Sequence, residues 1–163
     1  FLVDIEHALL TAGHRDFQMV VVGDGDERPW LERNLHQGVF TGVLRDHALA
    51  EAYANMDLFI FPSRTDTFGN VIQEAAASGV PAVVTAEGGP MQLVVNGVTG
   101  FIAQDDREFV QTVLECANNP ERLRNMGQAA RENLHGRSWD SAFEMTYSAY
   151  RYCQASRALR FAQ

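Results

Sequence analysis

The stretch from Asp57 to Pro81, DLFIFPSRTDTFGNVIQEAAASGVP, changes character twice. Leu58 to Phe61 is continuously apolar, the pattern of a strand in a parallel sheet whose two faces are both covered by helices. A polar loop follows. Asn70 to Ser78 then carries helical spacing, and Gly79-Val-Pro81 leads into the next apolar run. Strand, loop and helix in this order make one βα unit. The loop crosses the carboxyl edge of the strand, which is where open α/β sheets take their ligands.

The same alternation extends in both directions. Phe17 to Gly23, Val39 to Gly42, Pro81 to Thr85 and Thr99 to Ala103 read as further strands, and Met19 to Val22 is again continuously apolar. Val3 to Ala12, Glu27 to Leu35 and His47 to Asn55 carry helical spacing between them. The predicted class is α/β, a Rossmann-like doubly wound parallel sheet flanked by helices. After Ala103 only helices are expected: Asp106 to Ala117, Glu121 to Leu134 and Ser138 to about Leu159, divided by Asn118-Asn119-Pro120 and His135-Gly136. Pro120 suits a first helical turn and Ser138 an N-cap. With no linker or internal repeat, residues 1–163 are expected to form one domain whose helical C-terminal part spans 104–163. The chain opens on a helix, whereas a βαβ architecture supplies a strand first, so the first strand of the sheet is expected to lie upstream of Phe1.

Composition narrows the functional classes. The chain has 163 residues, 46% hydrophobic and 21% charged, enough for one core without disulfides or metal. Its formal charge of −8, with every basic residue among its Lys and Arg an arginine, argues against nucleic acid as a partner. No apolar run has the length of a membrane span, and the chain opens on a short amphipathic stretch with acidic residues, so no secretory signal is expected. Cys116 and Cys153 lack CxxC spacing and are expected to be small core thiols, which fits a reducing, cytoplasmic setting. The five histidines are scattered without ligand spacing, so no metal is expected. Trp30 and Trp139 are expected to pack against helices, and Arg151, Arg157 and Arg160 to line a solvated or interdomain face.

Two segments carry candidate chemistry. Gly23-Asp-Gly25-Asp26 follows an apolar strand, and its glycines permit a tight turn and close approach of a ligand. The third glycine of a dinucleotide fingerprint is replaced by Arg28, which removes the case for hydride transfer. Asp24 and Asp26 mimic a metal pair but fit turn chemistry better. In the second segment, Gly69 opens a helix whose N-terminal amides can receive a diphosphate. Asp66 and Glu74 can face that same pocket and accept hydrogen bonds from vicinal hydroxyls of a sugar or ribose. The plainer reading stands beside this one: Asp66 or Thr67 caps the helix, while Asn70, Gln73, Glu74 and Ser78 form its solvated face.

Phe61-Pro-Ser through Glu74-Ala-Ala-Ala-Ser-Gly79-Val-Pro81 resembles the signature of the retaining "group 1" glycosyltransferases of the GT-B fold, also known as glycosyltransferase family 4. Val20-Val-Val-Gly-Asp-Gly25, Phe40-Thr-Gly42, Gly88-Gly89-Pro90, Asn96-Gly-Val-Thr-Gly100 and Ser138-Trp139 are similar to further blocks of that family, in the same order. The family's hallmark is a pair of Glu residues separated by seven. The resemblance implies that Glu74 holds the donor's ribose and that Asp66, standing where the family has Glu, holds the donor sugar. It also implies that backbone groups of Phe68, Gly69, Asn70 and Val71 meet sugar and diphosphate, that the loop from Gly42 through Leu44 and Arg45 borders the base, and that Gly23 and Gly25 line the site. Gln92 stands where the family has an acidic residue, and Gly88 serves either loop geometry or ligand contact.

The resemblance further implies a C-terminal, donor-binding half of a GT-B enzyme. Its acceptor-binding N-terminal domain and the Arg and Lys that neutralise the leaving diphosphate would lie outside these residues. The expected donor is a nucleoside diphosphate sugar, GDP-mannose or a UDP-hexose, with no cofactor and no essential metal. Peripheral membrane contact would come through the absent half, and the chain alone is expected to be inactive. The alternatives are a nucleotide-sugar-binding module without chemistry and a GT-B epimerase. A phosphorylase is disfavoured because it needs a lysine for pyridoxal phosphate.

Overall fold

A computed structural model describes residues 1–135 and 139–160 of the chain. The elements run α1 (Leu2–Thr11), β1 (Met19–Val22), α2 (Arg28–Asn34), β2 (Gly38–Gly42), α3 (Asp46–Ala54), β3 (Phe59–Phe61), α4 (Asn70–Ala77), β4 (Ala82–Thr85), a 3₁₀ turn (Pro90–Leu93), β5 (Gly100–Ala103), α5 (Asp106–Ala117), α6 (Pro120–Asn133) and α7 (Trp139–Arg160). All strand pairs are parallel. They form a two-stranded set, β1-β2, and a three-stranded set, β3-β4-β5. This is the expected α/β class with helices flanking parallel strands.

β4 sits between β3 and β5, and each of its residues is buried. One side meets a cluster of Ile5, Leu9, Met19, Leu35, Val83, Ala103, Phe109, Val113, Cys116 and Leu123. Ile72, Ala82, Val84 and Val94 form a second cluster, and Tyr53, Ala75 and Val80 a third. The first cluster draws on both strand sets, Met19 coming from β1 and Val83 and Ala103 from β4 and β5, with Ile5 and Leu9 of α1 and Phe109, Val113 and Cys116 of α5 packed on them. Asp105 starts α5 by accepting the Glu108 amide at 2.8 Å, and Glu108 accepts the Gln104 amide at 2.7 Å.

The βα unit read from Asp57 to Pro81 ends where glycine demands it. Gly79 has φ +76°, its amide bonds the Ala76 carbonyl, and the Val80 amide reaches back to Ala75 at 2.9 Å. This is a Schellman stop, and it delivers the chain directly to β4. A side chain at Gly127 would come within 2.0 Å of the Gly79 carbonyl oxygen, so α6 crosses the end of α4 backbone to backbone.

Three expectations need correction. Met19 to Val22 is not covered on both faces: Val20 and its register partner Val39 are 42% and 40% exposed. The helix after β2 packs elsewhere, with Tyr53 against Phe59, Ala75 and Val80. Cys153 is exposed rather than a core thiol, whereas Cys116 is buried as expected. Trp30 is 45% exposed, since α2 contributes no buried residue.

The chain divides into two compact units, Phe1–Asn133 and Leu134–Gln163. In the latter, α7 leaves Met145, Tyr147, Tyr150 and Tyr152 exposed, and Arg151 pairs with Glu144 at 3.1 Å. The proposed cap at Ser138, the packing of Trp139 and the faces of Arg157 and Arg160 lie outside the described residues and side chains.

Candidate functional site at the carboxyl edges of the strands

Because the strands within each set are parallel, their carboxyl ends and the loops leaving them share one direction in that set. β1 is followed by Gly23, with φ +121°, whose amide bonds the Gly42 carbonyl at 2.8 Å. Gly42 itself has φ +72°. The two glycines thus bring the loops after β1 and β2 together. Asp24 accepts the Gly25 amide at 2.9 Å and lies 3.9 Å from Arg28, which also pairs with Glu32 at 2.8 Å. This is turn chemistry, and among the described residues no group of three His, Cys, Asp or Glu side chains could hold a metal ion. Leu44 is half-buried and Arg45 exposed, at the start of α3. Asp46 follows with φ 47°, the described non-glycine residue in the left-handed region.

The second group lies after β3. Asp66 folds its carboxylate back onto the loop: Oδ1 accepts the Phe68 amide at 2.9 Å and the Gly69 amide at 2.7 Å. Its own amide bonds Ser63 Oγ at 3.3 Å, and the Ser63 carbonyl accepts Thr85 Oγ1 at 2.8 Å. Gly69 adopts φ +84° and begins α4. Asn70 and Val71 occupy the first turn, where amides have no acceptor within the helix. Glu74 stands exposed one turn further on, and its Oε2 accepts a hydrogen bond from Tyr53 Oη at 3.1 Å.

A third loop braces the second. Gly88 and Gly89 leave no room for side chains: a Cβ would lie 2.6 Å from the Asp66 carbonyl oxygen at one and 2.1 Å from that of Thr67 at the other. The Gly89 amide bonds the Asp66 carbonyl at 3.0 Å. Arg64 ties the same loop to Glu87 at 3.7 Å and, more tightly, to Asp106.

The structure therefore brings Asp66, Phe68 and Gly69 into one hydrogen-bonded turn and places Asn70, Val71 and Glu74 on the helix leaving it. Gly23, Gly25, Leu44 and Arg45 form the group after β1 and β2, and α3 runs from that group to the second, ending with Tyr53 on Glu74. Sequence reading missed Tyr53 and the bracing by Gly89. The Gly88-Gly89-Pro90 triplet was a signal for the latter; nothing in the spacing of α3 signalled the former.

A family profile described as glycosyl transferases group 1 matches residues 1–119. Over 158 residues, 97% of this chain, the sequence is 37% identical to a GDP-mannose-dependent alpha-mannosyltransferase of Mycolicibacterium smegmatis, of which it spans 42%. Over 133 residues, 77% of this chain, it is 34% identical to the sulfoquinovosyl transferase SQD2 of Arabidopsis thaliana, spanning 26% of that protein. Among solved structures, sucrose-phosphate synthase of Thermosynechococcus elongatus superposes with a TM-score of 0.74 at 21% identity, over 93% of this chain and 42% of that one. Anabaena HepE in complex with UDP and glucose superposes with a TM-score of 0.70 at 22% identity, over 94% and 44%.

Proposed function

The chain belongs to the group 1 glycosyl transferases, and from that premise we propose that it is the donor-holding part of a hexosyltransferase using a nucleoside diphosphate sugar. The observation that carries this reading is the turn after β3, where the Asp66 carboxylate and Gly69 lead into the unpaired first-turn amides of α4, the helix that also carries Glu74. Free helix amides suit a diphosphate, and Glu74 can accept hydrogen bonds from a ribose. Gly25 supports approach of the diphosphate, because nothing lies within 4 Å of the position a Cβ would take. Leu44 and Arg45 would border the base. The resemblance to enzymes named as GDP-mannose-dependent favours GDP-mannose, with a UDP-hexose as the second choice.

In this reading the hexose passes to an acceptor hydroxyl with retention at the anomeric carbon, and the protein contributes orientation and stabilisation of the departing diphosphate. The acceptor domain and the cationic pair would come from outside these residues, so the chain alone binds donor without turning it over. Asp66 would orient the donor sugar only by giving up one of its bonds to the loop amides.

Calorimetric titration with UDP, GDP, ADP and their sugar conjugates tests the reading. GDP and GDP-mannose are expected to bind most tightly. Glu74→Ala is expected to weaken GDP about tenfold, the order of one hydrogen bond to a charged group. Failure of all these nucleotides to bind, or GDP binding untouched by Glu74→Ala, overturns it.

A further inference from the structure

Tyr53 lies at the end of α3, only 5% exposed, with its ring edge-on to Phe59 at 5.6 Å between centroids. It belongs to the cluster with Ala75 and Val80, so its ring packs against the helix that carries Glu74. A phenylalanine would satisfy that apolar environment. The hydroxyl is different: burying it without a partner costs free energy, and its partner is the exposed Glu74 carboxylate at 3.1 Å.

We propose that Tyr53 is a positioning residue for the nucleotide's ribose: its buried hydroxyl fixes the rotamer of Glu74 so that the carboxylate's remaining lone pairs meet the ribose hydroxyls. This rests on the role given to Glu74 above. A surface glutamate samples several rotamers, and ordering such a side chain on binding costs conformational entropy. Tyr53 removes part of that cost before the ligand arrives, from a ring held rigidly in the core. One carboxylate offers about four acceptor positions, so the bond to Tyr53 leaves room for two hydroxyls. Burial, and after it the bond to Glu74, raise the phenol's ionisation well above its ordinary range. The hydroxyl therefore remains a donor throughout the physiological range.

The test compares UDP and GDP with their 2′,3′-dideoxy analogues by calorimetry on the intact protein, as wild type, Tyr53→Phe, Glu74→Ala and the double variant. Tyr53→Phe is expected to weaken the ribonucleotides about fivefold, the size of one hydrogen bond, and to leave the dideoxy analogues unchanged. In the Glu74→Ala background the same change should add nothing. An equal loss for ribo and dideoxy ligands makes Tyr53 merely structural and overturns the proposal. So does unchanged ribonucleotide affinity in Tyr53→Phe while Glu74→Ala loses it. If Glu74→Ala leaves the preference for ribose over dideoxyribose intact, the ribose role of Glu74 fails, and the role of Tyr53 with it. Should Tyr53→Phe not fold, NMR couplings that report the Glu74 side-chain rotamer in the wild-type protein test the same point: one populated rotamer before nucleotide is added is expected, and averaging over several overturns the proposal.

Discussion

Asp66 spends one carboxylate oxygen on two backbone amides of its own loop. The plainer sequence reading, in which Asp66 or Thr67 caps the helix, is thus close to what the structure displays, although the N-cap position belongs to Gly69. Its side chain is one methylene shorter than the glutamate of the family it resembles, and that shortness suits a bond to amides two and three residues ahead. Glu74 differs in being held from outside its own helix. At Cys116, burial first of all pushes the thiol up to about 11 from an ordinary value of 9.0. A folded-state value raised in this way contributes stability that is complete below pH 9.0 and disappears as the pH climbs through about 11. The melting temperature should accordingly fall between pH 9 and 11, and by less in Cys116→Ala when each is compared with its own value at pH 8. A parallel decline in the two proteins would dismiss the thiol as the cause. At neutral pH a thiol reagent should label the exposed Cys153 rapidly and leave Cys116 until the protein unfolds.

At the level of elements, the site is two loops pressed together in the absence of side chains. Gly89→Ala would drive a methyl group to within 2.1 Å of the Thr67 carbonyl oxygen, a clash with backbone that rotamer changes cannot relieve. We expect a loss of about 1–3 kcal/mol, as for overpacking elsewhere, together with weaker nucleotide binding because the Asp66 turn is displaced. Denaturant titration and calorimetry measure the two effects, and unchanged values for both would show that the loops are independent. Most element types were legible in the sequence, because apolar runs, turn residues and helical spacing alternate clearly from Phe17 to Ala103. The asymmetric cover of β1 was not. Four consecutive apolar residues, Met19 to Val22, look alike whether one face or two is packed, and in the structure Val20 stays exposed while α3 packs its Tyr53 against Ala75 and Val80. Tyr53 was illegible for a similar reason, since its hydroxyl's partner lies 21 residues away on another helix.

Across residues 1–133, one cluster unites strands that hydrogen-bond in separate sets. Phe109, fully buried on α5, shares it with Met19 of β1 and with Val83 and Ala103 of β4 and β5. Phe109→Ala should cost about 3–5 kcal/mol in chemical denaturation. Both strand sets should lose hydrogen-exchange protection together. Loss confined to β3-β4-β5 would mean that the sets are stable independently. No helix among the described residues is long and apolar enough to cross a membrane.

The turn at Asp66 carries one further consequence. The Phe68 and Gly69 amides are already satisfied, so under the proposed function a donor reaching those two would exchange acceptors with Asp66, while the Asn70 and Val71 amides beyond them have no acceptor to give up. A simple anion gains little from that trade, because the resident carboxylate is tethered within reach and competes at high effective concentration. A molecule that brings hydroxyl donors for the released carboxylate recovers the lost bonds on the other side of the exchange. Under the proposed function the loop would therefore favour molecules that carry anion and hydroxyl together over free phosphate.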